Sequence, residues 1–533
     1  MHTRSMWEFE AAGLARDHRD WTFAHPRLRQ APGEKMVNRA GLKQSIPAGG
    51  ANVEQMRFRY KESALSCAVC AALSACSVAP PYERPSVPAP PDAYQGAEGW
   101  KVAQPADGVE RGSWWRVYHD PLLDQLEGRI DGSNQDIRAA FAQLAQARAQ
   151  TRIAHAEYFP TITANASAQH YRNSMLGPNY SAAMPTVTSD LVLNTDVSYE
   201  ADLWGRVRNS VAAARFGEQA SAADCAALSL AVHAELASDY FMLRGATAEQ
   251  EILDQTVADY AHALALTEKL HEGGLAAKAD VDQARAQLES ARTHAAETHL
   301  LRAQTEHAIA VLLGESASSF RLDVHPLSLD VSPPPLDPGL PSELLERRPD
   351  IAAAERRVAA ANAEIGVARA AYFPVFNLLS AAGFETTQAS TWITAPARVW
   401  SFGPQAMVTL FDAGRRRAQT AQTQAAYEEK VADYRGTVLA AYQDVEDSLS
   451  ALTDLERESR SEAAAVDATA GALQQSQYQY QTGLVTYLQV VVTENAALVA
   501  RLAAIEIGIR RLNASVLLVK ALGGCTSTDN CRQ

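Results

Sequence analysis

The distribution of proline most strongly limits how this chain can fold. No proline lies between Pro185 and Pro326, and none follows Pro404. Because a proline inside a helix costs about 3 kcal/mol, long proline-free stretches rich in alanine, glutamine, leucine and arginine permit very long helices. The first stretch predicts a helix from Arg206 to about Leu270, roughly 95 Å long at about 1.5 Å per residue.

A second helix is expected to return after a break at Gly273 and Gly274, from about Ala276 to Leu313. Apolar residues recur in it at three- and four-residue intervals, and again near the C-terminus, which is typical of coiled-coil packing. The two predicted stripes are Val281, Ala284, Leu288, Ala291 and Ala295, and then Leu498, Leu502, Ile505, Ile509, Leu512 and Val516. An ordinary helical bundle would show the same spacing.

Three short landmarks occur twice in the same order. They are Pro160 and Pro374 at the end of Tyr-Phe-Pro, Gly205 and Gly414 before an arginine, and Gly274 and Gly483 before a leucine. The two prolines are 214 positions apart, and both glycine pairs are 209 apart. One match could be chance, but three at nearly constant separation predict two halves built to one plan.

Residues alternate with a period of two between the Tyr-Phe-Pro landmarks and the long helices. The apolar positions of the first half are Ile162, Ala164, Ala166 and Ala168, then Leu191, Leu193, Thr195, Val197, Tyr199, Ala201 and Leu203. The second half repeats the alternation less cleanly near Val375–Phe384 and Phe402–Leu410. This pattern is typical of a membrane β-strand, although a half-buried strand of a soluble protein looks the same.

Four such strands per chain are too few to close a barrel, which needs about eight. Open sheet edges are not tolerated in lipid, so a membrane-spanning sheet would require several chains. Asp196, Glu200 and Asp202 fall on the polar side of the second strand and are candidates for a cation-preferring lumen. Solvated surface carboxylates are the alternative. Trp204 and Trp400 are candidates for the membrane interface.

The overall charge and the motifs exclude several other functions. The 533-residue chain has a formal net charge of -14, which argues against binding to nucleic acid. It has no apolar run of about 18 residues that would predict a transmembrane helix. His271 and Glu272 lack the second histidine of a zinc protease, and no nucleophile elbow or phosphate loop is present. We therefore expect neither an enzyme nor a metal site.

An export signal begins unusually late in the sequence. Arg57, Arg59 and Lys61 form a basic segment, and residues 63–75 form a short run of small and apolar residues. Leu73-Ser74-Ala75-Cys76 then resembles the lipobox of bacterial lipoproteins, and a proline-rich segment typical of extended tethers follows it. The pattern predicts cleavage before Cys76 and lipid attachment to it, with a chance cysteine in an internal loop as the alternative.

The late signal divides the chain. We expect translation to begin at Met56, which makes residues 1–55 a non-native upstream extension. The predicted segments are a signal peptide at 56–75, a lipid-anchored tether at 76–112, two repeats at 113–330 and 331–525, and a tail at 526–533. Cys525 and Cys531 could form a disulfide or remain free thiols.

Several motifs together resemble the TolC-like outer membrane factor family, in its lipoprotein branch, over about residues 76–525. Trp114 to Leu122 is similar to the opening motif of the family, and Leu340 to Ile351 closely matches its mid-chain signature. Asp136-Ile137 stands 214 positions before Asp350-Ile351. Tyr480, Thr482-Gly483 and Tyr487-Leu488 resemble the second helical tip.

The resemblance implies a mainly α protein with a membrane β-barrel. Three chains would contribute four strands each to a 12-stranded barrel, and their long coiled-coil helices would form an α-barrel crossing the periplasm. Implied partners are a periplasmic adaptor, an inner-membrane pump of the resistance-nodulation-division class and outer-membrane lipid. The chain would be a passive efflux channel for small molecules, with the lipid on Cys76 and no other cofactor.

The resemblance also assigns roles at the periplasmic tips. Gly274, Leu275, Gly483 and Leu484 would form the tip turns that meet the adaptor. Leu488 and Val492 match positions that narrow the pore. Relatives often carry aspartate at the position of Val492 and sometimes at that of Gln489, so an apolar constriction is expected here instead of an acidic ring.

Three alternatives stay open at this point. Leu488 and Val492 could be seam residues inside the coiled coil. The same fold could serve protein secretion of the type I kind, and a soluble coiled-coil scaffold would share the helical pattern. The transported substrate does not follow from the sequence, because the pump largely selects it.

Overall fold

The computed structural model describes residues 78–87, 112–177, 181, 183, 185–336 and 347–524. All of them belong to one compact unit, residues 69–533. After a 3-10 turn at Trp114–Tyr118, the first half contains α1 (Pro121–Ser133), α2 (Gln135–Ala156), β1 (Thr161–Arg172), β2 (Val187–Ala201), α3 (Arg206–Glu272) and α4 (Lys278–Leu312). The second half contains α5 (Pro349–Ala370), β3 (Val375–Thr386), β4 (Arg398–Met407), α6 (Arg415–Gln481) and α7 (Tyr487–Ala521).

The two halves match helix for helix. Helices α2 and α5 each have 22 residues, α3 and α6 each have 67, and α4 and α7 each have 35. The predicted duplication and the long helices are therefore present. Helix α3 ends within two residues of the predicted point, and α4 begins at Lys278, two residues later than expected.

Equivalent contacts close each half. The side-chain amide of Asn134, which caps α2, donates to the carbonyl of Leu312 at 2.9 Å. At the corresponding position, 214 residues later, Arg348 donates to the carbonyl of Ala521 at 3.4 Å and to Asp444 at 2.9 Å. Both contacts tie the first turn of a 22-residue helix to the end of a 35-residue helix.

One antiparallel sheet joins the halves, with the strand order β1-β2-β3-β4. Leu193 pairs with Ala166 on one side and with Phe384 on the other, so β2 and β3 are the inner strands and β1 and β4 are the edges. The fourth strand was predicted at Phe402–Leu410, three to four residues too far towards the C-terminus. The strand spans Arg398–Met407, because alternation begins before Trp400 and Leu410 lies beyond the last pairing at Met407.

The main core lies where α3 packs against α1, α4 and α7. Buried side chains from these helices form one continuous cluster, which includes Leu126, Leu236, Leu243, Ile309, Ile505 and Leu512. Gly245 of α3 permits close approach to α7, because a β-carbon there would lie 2.1 Å from Cδ1 of Ile509. The predicted stripes are buried except at Ala295, Leu498 and Leu502, which are partly exposed. Ala284, Leu288 and Ala291 of the α4 stripe lie in two smaller clusters outside the main core.

Within the residues described, no helix is both long enough and apolar enough to cross a membrane.

Candidate functional site

The two helical tips have the same backbone structure. Gly274 follows α3 with φ +75°, and Gly483 follows α6 with φ +74°, a left-handed conformation that favours glycine. The amide of Leu275 donates to the carbonyl of Leu270 at 2.8 Å, and that of Leu484 donates to Gln479 at 2.9 Å. Each tip is thus a Schellman turn.

Both tips present a leucine to the outside. Leu275 and Leu484 are largely exposed, although the turns around them are ordered by backbone hydrogen bonds. Asp280 accepts a 3.1 Å bond from the amide of Ala277 and so supports the start of α4. The four predicted tip residues therefore form two apolar, accessible points at one end of the long helices.

The start of α7 separates two faces. Tyr487, Val490 and Val491 are buried in one cluster with Ala284 of α4. Leu488 and Val492, which lie one helical turn apart, are 56% and 55% exposed. Gln489 is exposed as well. Within a single chain the coiled-coil seam therefore consists of other residues, and the predicted gate residues form an unpartnered stripe beside it.

Polar contacts that the sequence analysis did not identify join three helices behind this stripe. The hydroxyl of Tyr260 on α3 donates to Asn495 on α7 at 3.2 Å, and Asn495 donates to Gln287 on α4 at 3.2 Å. Burial raises the pKa of Tyr260 to about 12, so the hydroxyl keeps its proton at neutral pH. These polar residues stand alone within alanine-rich helices, and this pattern could have indicated the contacts between them.

The register of the sheet gives it one apolar and one polar face. Residues directly opposite each other in an antiparallel pair share a face. The apolar face carries Ile162, Ala164, Leu191, Leu193, Val197, Tyr199, Leu378, Phe384, Trp400 and Phe402. Its large side chains at Ile162, Trp400 and Phe402 are exposed in the single chain. Arg172 and Arg398 stand on this face only at the ends of their strands, and between them the face has the composition of a lipid-contacting surface.

The polar face carries four carboxylates and no lysine or arginine. They are Asp190, Asp196, Glu200 and Glu385. Glu200, however, binds Arg206 at 2.7 Å through Nε and at 2.8 Å through Nη2. Asp196 accepts only from Asn194 among the hydrogen bonds within the described structure, at 3.1 Å.

Asp202 lies beyond the end of β2 and acts in the folding of α3. Its carboxylate accepts hydrogen bonds from the backbone amides of Val207 at 3.2 Å and Arg208 at 2.8 Å, and it therefore caps the N-terminus of α3. Of the three acidic residues predicted to line a lumen, Asp196 and Glu200 are therefore on the polar face, and Asp196 has no arginine contact there. Neither the Glu200–Arg206 ion pair nor the capping role of Asp202 could be predicted from the sequence.

Aromatic residues collect where the sheet meets the helices. Trp204 stacks on Phe373 with ring centroids 4.7 Å apart, and its Nε1 donates to the carbonyl of Pro374 at 2.8 Å. Tyr372 and Phe411 are exposed at the same end of the sheet. Aromatic rings in a belt at one end of an apolar sheet face are typical of a membrane interface.

Cys76, Cys525 and Cys531 lie outside the described residues, but the segment just after Cys76 is described. Residues 78–87 pack on three helices. Asn362 of α5 donates to the carbonyl of Pro80 at 3.1 Å, and Arg435 of α6 donates to that of Ser86 at 3.0 Å. The ring of Tyr82 lies 6.3 Å from that of Phe216 on α3. No group of acidic, histidine or cysteine side chains suited to a metal ion occurs in the part of the chain described.

Comparison with known proteins gives a consistent result. The family profile described as outer membrane efflux protein matches residues 128–315 and 340–524. The toluene efflux pump outer membrane protein TtgC of Pseudomonas putida is 33% identical over 469 residues, which cover 87% of this chain and 96% of TtgC. SilC of Salmonella typhimurium, a probable outer membrane lipoprotein, is 28% identical over 470 residues, covering 87% of this chain and 99% of SilC.

A solved structure agrees with these relatives. The outer-membrane channel OprN superposes with a TM-score of 0.76 at 30% identity, covering 84% of this chain and 99% of OprN. Duplicated long helices joined to an amphipathic four-stranded sheet thus define an outer-membrane channel of the efflux class. The chain belongs to the outer membrane efflux protein family. The predicted family, fold class, efflux function and outer-membrane location are confirmed.

Proposed function

We propose that three copies of this chain form the passive outer-membrane channel of a tripartite efflux pump. The observation that carries the proposal is the open sheet. Strands β1 and β4 have one unpaired edge each within the described chain, and the sheet exposes an apolar face. In lipid such edges must be paired, and four strands from each of three chains would give a closed barrel of twelve.

The strand lengths support this arrangement. The four strands contain 12, 15, 12 and 10 residues, and a tilted strand needs about 9–11 residues to cross a bilayer. The polar face would line a water-filled path, and the apolar face would meet lipid. The long helices would continue the path into the periplasm.

Lipid attachment at Cys76 is part of the proposal. A β-carbon on Gly366 would come within 2.6 Å of Ala79 and of Asn209, which lies in the first turn of α3. Ala79 is thus close to the junction of helices and sheet, where the aromatic residues collect. Three residues span at most about 11 Å, so a lipid on Cys76 would be within reach of the same membrane interface.

The anchor can be tested separately from transport. We expect metabolic labelling with palmitate to mark the wild-type chain and to leave Cys76→Ser unlabelled. The matched control is Cys225→Ser, because Cys225 is a buried cysteine of α3 and should not affect labelling. Equal labelling of Cys76→Ser and wild type would contradict the assignment.

The resting channel would be closed by the exposed stripe of α7. Leu488 and Val492 from three chains would meet around the pore axis, with Gln489 beside them. Their exposure in the single chain supports this role, because an apolar pair that one chain leaves uncovered can pack against the same pair of neighbouring copies. Leu275 and Leu484, with Gly274 and Gly483, would meet the periplasmic adaptor, and an inner-membrane pump of the resistance-nodulation-division class would supply the energy.

The decisive physiological experiment is deletion of the gene in a strain that lacks its other outer-membrane efflux channels. Growth inhibition would be measured across antibiotics, dyes, solvents and metal salts, with and without a wild-type copy. We expect sensitisation to at least one class and rescue by the wild type, which would also identify the substrates. Unchanged growth across the panel, together with a changed set of secreted proteins, would contradict efflux of small molecules.

A further inference from the structure

A buried cluster of titratable side chains lies away from the tips and the sheet, where α1 packs on α3. His233 of α3 stands between two carboxylates that are one turn apart on α1. Its Nδ1 is 2.6 Å from Glu127, and its Nε2 is 3.1 Å from Asp131. The imidazole also stacks on Trp115, with ring centroids 4.8 Å apart and planes at 13°. The ring is therefore fixed on its two edges and on one face.

The geometry requires one proton in each of the two hydrogen bonds of the His233 ring. A neutral imidazole has one donor nitrogen and one acceptor nitrogen, whereas ionised carboxylates only accept. Both bonds can exist together only when His233 is an imidazolium or when one carboxyl group is protonated. Loss of the last of these protons leaves a neutral imidazole between two ionised carboxylates and therefore removes one of the two bonds between α1 and α3.

The two carboxylates differ sharply in their surroundings. The Glu127 side chain is 0% exposed, and no hydrogen-bond donor of the described structure reaches its second oxygen, Oε1. The Asp131 side chain is 68% exposed. A cavity of about 500 Å³ adjoins the ring and is lined by Asp131, Trp114 and His233 among others. Protons can reach the cluster from this side, while Glu127 stays shielded from water.

Opposing effects combine to raise the pKa of both Glu127 and His233. Burial raises the pKa of Glu127 to about 7, and the negative charges of Asp131 and Asp124 add to this effect, against the opposing influence of His233. Burial disfavours the charged form of His233, but its bonds to Glu127 and Asp131 outweigh burial and raise its pKa. Helix α2 faces the cavity with the apolar side chains of Phe141 and Leu144.

We propose that Glu127, His233 and Asp131 form a pH-responsive clamp that holds α1 on α3 in acidic surroundings and loosens as the pH rises. The clamp is distinct from the pore and from the tips, and it does not depend on the transported substrate. Because α3 is one of the two 67-residue helices, the clamp acts on the helix that also carries the Gly274 tip.

The direction follows from proton linkage. Both folded-state pKa values lie above the ordinary values, so the folded chain holds more protons than the unfolded chain. The contribution of Glu127 is complete below its ordinary pKa of 4.5 and is lost as the pH rises towards about 7. That of His233 is complete below its ordinary pKa of 6.5 and is lost above it.

Hydrogen–deuterium exchange of the assembled full-length protein tests the clamp. The protection of peptides covering α1 would be measured from pH 5 to 8.5 and corrected for the intrinsic exchange rate at each pH. In the wild type we expect protection to fall with rising pH, by at most about tenfold per pH unit for one linked proton. In Glu127→Gln the dependence should weaken, because the contribution of Glu127 is lost while that of His233 beside Asp131 remains.

Asp120→Asn is the matched control, because Asp120 also connects α1 to α3. Its carboxylate accepts from Tyr240 at 2.7 Å and from Arg244 at 2.9 Å, and neither donor is a histidine or a carboxyl group. This variant should lower protection at every pH and keep the wild-type slope. His233→Gln serves as a second test variant if Glu127→Gln does not assemble. A flat wild-type profile, or a slope in Glu127→Gln or His233→Gln as steep as that of the wild type, would overturn the proposal.

Discussion

At the scale of single residues, the sequence predicted where Leu488 and Val492 lie along α7 but not which face of the helix they occupy. The sequence could place them on a helix after a glycine turn, but apolar spacing could not separate pore from seam. The structure separates the two faces, because Tyr487, Val490 and Val491 occupy the seam. Periodicity reports only that a face is apolar, whereas packing determines which neighbour covers it.

The gate assignment leads to a conductance prediction. Replacing Leu488 and Val492 together by serine should raise the resting conductance of reconstituted protein at least tenfold. Each buried apolar side chain contributes about 1.5–3 kcal/mol, and about 1.4 kcal/mol changes an equilibrium tenfold. Planar bilayer recordings would measure the effect.

The matched control for the gate replaces Leu300 and Val311 of α4, which are similarly exposed but lie more than a helical turn from the tip. Leu300→Ser with Val311→Ser should leave the resting conductance unchanged. Equal currents from the gate variant and the wild type would remove these residues from the gate.

The acidic residues make different contributions that sequence patterning could not distinguish. Asp196 lies on the polar face of the sheet, whereas Asp202 caps α3. A carboxylate about 10 Å from a passing ion contributes about 0.4 kcal/mol in water, or about a factor of two. Asp196→Asn would remove one such carboxylate from each of three chains and should therefore lower the cation preference about eightfold.

Reversal potentials across a salt gradient would measure this preference. Asp202→Asn should keep the selectivity of the wild type and lower thermal stability by about 1 kcal/mol, the usual cost of a weakened helix cap. The same reversal potential in wild type and Asp196→Asn would contradict an acidic lumen.

At the scale of elements, the helices were easier to predict than the strands. Long proline-free stretches and glycine turns fixed the ends of α3 to within two residues. The fourth strand was displaced because its alternation is interrupted by Pro404 and Gly403, and only pairing with β3 defines its ends. Partners distant in sequence determine strand boundaries, so local patterns carry less information about them.

The contact between β2 and β3 joins the two halves and can be tested by one glycine. A β-carbon at Gly383 would lie 2.1 Å from the carbonyl oxygen of Leu193 and 2.6 Å from the Cα of Asn194. Gly383→Val should therefore strain the sheet, at a cost of about 1–3 kcal/mol. The amount of heat-resistant oligomer in outer-membrane fractions should fall.

Gly403→Val on the edge strand β4 is the control, because a β-carbon there meets nothing within 4 Å. Gly403→Val should therefore give the same amount of heat-resistant oligomer as the wild type. Normal assembly of Gly383→Val would show that the two hairpins do not depend on this close approach.

At the scale of the whole molecule, the duplication explains why few local features determine so much structure. Both halves repeat the same helix lengths, the same glycine turns and the same closing contact to the end of a 35-residue helix. The halves differ in charge at this closing contact, because Asn134 corresponds to Arg348 with its acidic partners Asp350 and Asp444. Arg348 and Asp350 of the mid-chain signature therefore have a structural role.

The central claim is that one chain carries a third of a closed channel. Native mass spectrometry of the protein extracted from outer membranes in mild detergent tests it most directly. We expect a single species containing three copies of the chain, because four strands leave two edges that lipid does not tolerate. A species of one or two copies in membranes that still support efflux would contradict the account.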